Sequence, residues 1–156
     1  MNSLRITLLF ALFASALPVA HAEDNQAAKA DLARLQGEWS MVSGVADGFA
    51  VPDAMLANSK RTCAGDVTTV IVGGQLLMKA RFTLDPSKTP KAIDYAMLEG
   101  ITQGKTQLGI YELDGDTVKF CFGEPGAARP AEFGSKSGDR RTSSVWKRAK
   151  AAPEKK

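Results

Sequence analysis

Residues 35–46 read LQGEWSMVSGVA. A glycine, one spacer and a tryptophan close a short helical pattern and open a strand-like run. On the N-terminal side, residues 26–36 (QAAKADLARLQ) are good helix formers with Leu32 and Leu35 three apart. Gly37 then ends that helix, since glycine tolerates the backbone twist of a helix C-terminus. On the other side, residues 39–43 alternate and put Trp39, Met41 and Ser43 on one face. Asp47-Gly48 marks a turn, and Pro52 opens one or two helical turns over 52–59.

The same grammar continues along the chain. Residues 67–72 (VTTVIV) are β-branched and run into Gly73-Gly74, a hairpin signal. Their inward face is undecided by composition, because both faces are apolar or threonine. Residues 76–84 alternate, with Leu76, Met78, Ala80, Phe82 and Leu84 on one side. After the loop-forming DPSKTP, residues 91–97 place Ile93, Tyr95 and Met97 together. Residues 108–113, Asp114-Gly115 and residues 118–122 form the clearest hairpin, with Val118, Phe120 and Phe122 opposite Lys119 and Cys121. Residues 123–138 are long and rich in glycine and proline, with Phe133 available to dock them. Residues 142–146 supply a last strand.

About eight strands joined by hairpin-type turns, with helix confined to the start and one short connection, predict an all-β fold. The expectation is an antiparallel up-and-down eight-stranded barrel with a short N-terminal helix. Closure removes exposed strand edges.

The GEW of residues 37–39, after a helix and at the start of the first strand, resembles the Gly-x-Trp opening of lipocalins and the wider calycin group. That resemblance implies a lipocalin-like barrel in which Trp39 plugs the closed end beside a basic residue of the last strand, Arg148 or Lys147. Gly37 would let the helix end approach closely. Other motifs of classical lipocalins are not evident. A longer match is carried by LQGEW (35–39), the DG of VADGF, FTLDPSKTPKAID (82–94), GKTQLGIYELDGDTVKFCF (104–122) and RPAEF (129–133). These resemble an uncharacterised family of secreted bacterial proteins with lipocalin-like character. The resemblance implies a fold and no established activity.

Residues 1–22 read as a signal peptide. Arg5 precedes an apolar run over 6–20, and Ala20-His21-Ala22 has small residues at the −3 and −1 positions of a cleavage site. The expectation is a periplasmic or extracellular protein with a lipocalin-like domain at 23–148 and a disordered basic tail at 149–156. No cysteine follows the cleavage site, so lipid anchoring is not expected, and the mature chain has no integral membrane segment. Removing residues 1–22 takes one of the 20 basic residues and none of the 17 acidic ones, leaving a net charge of +2. That balance argues against nucleic acid as a partner.

The only histidine, His21, lies in the leader. Its loss excludes Ser-His-Asp and Cys-His catalysis and histidine-ligated zinc. Cys63 and Cys121 are either a disulfide or two buried thiols, since spacing cannot supply the required Cα separation. Neither they nor the scattered methionines make a metal site, and no cofactor motif is present: Gly73-Gly74 lacks a phosphate-loop pattern. Asp114 and Asp116 flank a hairpin glycine and fit turn geometry; Glu112 stands in an otherwise apolar strand. The chain is therefore expected to be no enzyme but a binding module. Met41, Met78, Ala80 and Phe82 are the expected ligand-binding residues, with Tyr95, Phe120 and Phe122. Methionine and aromatic side chains suit an adaptable pocket for a small apolar or amphipathic molecule. The alternative is a protein–protein interaction or inhibitor module of the envelope, acting through the 123–141 loop.

Overall fold

The computed structural model describes residues 20–150. Residues 1–19 of the expected leader and 151–156 of the expected tail lie outside the described residues. The element order is α1 (Ala20–Leu35), β1 (Gly37–Ala46), β2 (Phe49–Ala50), α2 (Asp53–Leu56), β3 (Lys60–Ala64), β4 (Val67–Val72), β5 (Gln75–Asp85), β6 (Lys91–Gly100), β7 (Thr106–Asp114), β8 (Thr117–Phe122) and β9 (Thr142–Arg148). No helix among the described residues is long and apolar enough to cross a membrane.

From β3 to β9 each strand pairs antiparallel with the next, β1 pairs with β3, and β9 returns to pair with β1. The result is a closed eight-stranded antiparallel barrel, with β2 as a short extra strand on β1. Alternation drives closure. Met78, Ala80 and Phe82 of β5, Ile93, Tyr95 and Met97 of β6, and Val118, Phe120 and Phe122 of β8 all join one buried interior cluster. In β4 the inward face is Thr68 and Val70, both buried, with Val72 packed behind them.

Three register shifts break the simple alternation, one of them in the β5–β6 pairing between Lys79 and Ala80. Pairing of β1 with β9 shifts between Met41 and Ser43, so Ser43 turns out to solvent and Gly44 turns in. This corrects the shared face expected for Trp39, Met41 and Ser43. A second shift between Val70 and Ile71 leaves Leu76 48% exposed, outside the face it was expected to share with Met78. Strand β3 was absent from the expected set, and its burial alternates, with Arg61 and Cys63 inward.

Helix α1 starts earlier than the pattern implied and seals one end of the barrel. Leu35 is buried and Leu32 packs on the interior cluster. Gly37 follows with φ at +99°, a conformation that disfavours any side chain. Asp31 of α1 is buried among strand residues: Tyr111 Oη donates to its Oδ2 at 2.8 Å, and Lys91 Nζ lies 2.6 Å away. Burial first, then the bond to Asp31, pushes the Tyr111 phenol well above its usual range. Asp31→Ala should therefore lower stability by about 2 kcal/mol, because a charge-assisted bond disappears and Tyr111 keeps a buried unpaired hydroxyl. Thermal unfolding of the variant beside the parent checks this.

Candidate functional site

The closed end is built around Trp39, which is 0% exposed. Its Nε1 donates to the Leu35 carbonyl oxygen at 2.9 Å, so the indole is both buried and satisfied. Arg148 lies over it, with Cζ 4.3 Å from the ring centroid. The Arg148 guanidinium also donates to the Gln36 and Arg34 carbonyl oxygens at 2.8 and 2.6 Å. Those carbonyls end α1 without helical partners, and a cation there also matches the helix dipole. Of the two basic candidates, Arg148 takes this place, while Lys147 is exposed. Gln36 adds a second tie, bonding to the backbone of Gly65 in the β3–β4 turn.

Above this floor the barrel interior is filled by side chains. Ala80, Phe82 and Phe120 are buried there and do not line the cavity. Toward the opposite end the interior opens into a cavity of about 430 Å³. That volume lies within the range of small-molecule sites. Met41, Met78, Tyr95 and Phe122 line it, so four of the seven expected ligand-binding residues meet there and three belong to the packing beneath. Gly109 makes room for Phe122: a Cβ at that position would run into the Phe122 ring. Phe122 in turn packs against Tyr95 with the rings tilted by 32° and their centroids 4.2 Å apart. The mouth is apolar too, with Leu77 and Ile101 lining it and Ile101 94% exposed in the β6–β7 turn.

Among the lining residues that the sequence reading missed, Met97 and Trp146 included, the one that carries charge is Arg61. It is 4% exposed and lines the base of the cup beside Tyr95 and Trp146. Its Nη1 donates to Tyr95 Oη at 2.6 Å and to Thr68 Oγ1 at 3.2 Å. The guanidinium lies 4.2 Å from the Phe120 ring centroid and 4.8 Å from that of Trp146. Among the described residues no carboxylate comes within ion-pair distance of it, and its Nε has no hydrogen-bond partner. Burying an ion without a counter-charge costs several kcal/mol, on the order of 3 to 5, offset here only in part by the two ring faces. Burial raises the Tyr95 phenol, and the Arg61 charge pulls the other way without overcoming it. The hydroxyl therefore stays protonated at neutral pH. The available signal was the alternation of KRTCA, which puts Arg61 on the same side as Cys63.

The long loop, residues 123–141, wraps the outside of the wall. Asp47 Oδ1 in the β1–β2 turn accepts from Gly138 N and Arg140 N, both at 2.9 Å. Ser135 Oγ accepts from Gly48 N at 3.0 Å and donates to the Arg141 carbonyl oxygen. Arg129 Nη1 reaches the Gly109 and Ile93 carbonyl oxygens and pairs with Asp94. Pro130 is buried and Phe133 half-buried. Of the two states open to the cysteines, the structure has free thiols. Cys63 belongs to the interior cluster; Cys121 faces outward beneath the loop, its Sγ donating to the Gly134 carbonyl oxygen at 3.3 Å. A barrel wall separates them, so the disulfide reading is corrected.

Glu112 is half exposed and paired with Lys119 across β7 and β8, an ordinary surface ion pair. Among the described residues no group of acidic, cysteine or histidine side chains could hold a metal.

The fold and site together define an eight-stranded antiparallel barrel, stoppered by a helix and an indole at one end and open as an apolar cup at the other. Comparisons with protein-family models, curated proteins and solved structures found no match.

Proposed function

We propose that this chain is a secreted, non-catalytic binding module that takes up one small apolar or amphipathic molecule in the cup. The observation that supports it most is the uneven filling of the barrel. Packing is close from Trp39 to Phe82 and then gives way to a cavity lined by Met41, Met78, Met97 and Phe122. A barrel that needed only a core has no use for such a void, since lining atoms without partners lose dispersion contacts. The leader-like N-terminus and the resemblance to lipocalins favour the same reading. The interaction-module alternative has less support. The 123–141 loop uses its polar groups on Asp47, Gly48 and its own turns, leaving little backbone free for a partner.

Titration with the neutral fluorophore N-phenyl-1-naphthylamine tests the reading. Uptake of one probe per chain with a strong rise in emission is expected. Met97→Trp, which puts an indole into the cavity, should weaken uptake at least tenfold while the chain stays folded. No emission change with the parent protein would defeat the proposal.

A further inference from the structure

We propose that Arg61 and Tyr95 form an anion-binding seat at the base of the cup, so that the ligand is a single-chain amphiphile entering with its carboxylate first. This inference rests on the small-molecule reading above and specifies the chemistry of that same site.

The argument begins with donors. A guanidinium carries five N–H groups in a rigid fork and has no acceptor. Nη1 of Arg61 directs its bonds to Tyr95 and Thr68. The two ring contacts, on Phe120 and Trp146, engage the flat faces and use no N–H. Nη2 makes no hydrogen bond to protein among the described residues, and Nε, also without a partner, is shut away from solvent. Nη2 is therefore the nitrogen that an arriving carboxylate oxygen meets, in a charge-assisted bond. Tyr95 extends this seat. Its oxygen already accepts from Arg61, and its own proton has no acceptor among the described residues.

Charge leads to the same ligand. No acidic side chain among the described residues neutralises Arg61, yet the residue sits deep under a lining of methionine and aromatic side chains. A buried cation facing an apolar void is balanced when an anion arrives on an apolar chain. The anion would find the guanidinium at the bottom, and the chain would fill the space between Met41, Met78 and Met97 up to the mouth at Leu77 and Ile101. A cationic headgroup would meet like charge there. A neutral alcohol would leave the buried charge unbalanced.

The test compares decanoate, 1-decanol and decyltrimethylammonium on the purified chain by isothermal titration calorimetry. Displacement of N-phenyl-1-naphthylamine is followed in parallel. Decanoate is expected to bind at least tenfold tighter than decanol, with the ammonium amphiphile weakest. Arg61→Met keeps the length and removes the charge; it should abolish the preference for decanoate over decanol. Tyr95→Phe should reduce the preference severalfold and keep its sign. The comparison among the three amphiphiles on the parent protein needs no variant, so it decides the matter even if Arg61→Met fails to fold. Equal affinity for decanoate and decanol, or no binding of decanoate, would overturn the anion seat. The neutral probe reports separately whether the cup itself takes up a ligand.

Discussion

Trp39→Ala should remove about 4 kcal/mol of stability, the upper part of the range for truncating a fully buried aromatic side chain. Three losses combine at this position. The indole fills the interior at the closed end. Its Nε1 satisfies the Leu35 carbonyl oxygen at the end of α1. Its face carries the Arg148 guanidinium, which also holds two further helix carbonyls. With the ring gone, Arg148 loses its platform and α1 loses its seat. Urea unfolding followed by fluorescence checks this, because Trp146 remains as a reporter near the cup. A midpoint shift without a change in slope is expected. A loss under about 1 kcal/mol would mean the indole is not the floor of the barrel. Trp39 does not line the cavity, so the folded fraction of the variant should still take up the neutral probe.

Gly48→Ala tests the other end and should cost about 3 kcal/mol. Gly48 has φ at +84°, where an alanine is strained. The added Cβ would also run into the Ser137 backbone, which has no flexible side-chain atoms to move aside. The loop must then lift from the β1–β2 turn, breaking the bonds of Asp47 and Ser135. Cys121 reports the event. Its thiol lies beneath the loop, and burial raises its pKa, so in the parent it should react slowly with a thiol reagent. In Gly48→Ala labelling of Cys121 should rise at least tenfold, with Cys63 unchanged in the folded protein. Equal labelling in parent and variant would show that the loop does not depend on this contact.

The hairpins and the closed barrel were legible because side chains in a strand repeat every two residues and the turns carry glycine. Val118, Phe120 and Phe122 could face only one way once Lys119 stood between them. Bulges escaped that logic, since one extra residue reverses the face without altering local composition, as at Met41 and Ser43. β3 escaped because its five residues begin with Lys60 and Arg61, which look like a solvated turn. Arg61 was then lost as a site residue for the same reason: arginine is seldom buried, so pattern reading assigns it to the surface. The lower half of the predicted ligand face proved to be packing. Sequence alternation tells which side of a wall a residue faces and not how far down the barrel it sits. The 123–141 loop looked unstructured from its glycines and prolines, while the contacts that fix it come from Asp47, over 80 residues away in sequence.

Two sulfurs lie on opposite faces of the barrel wall, Cys63 inside and Cys121 outside. They cannot meet without taking the barrel apart, so these strands are held together with no covalent cross-link, and an oxidant that captured Cys121 would mark the exterior without entering the cup.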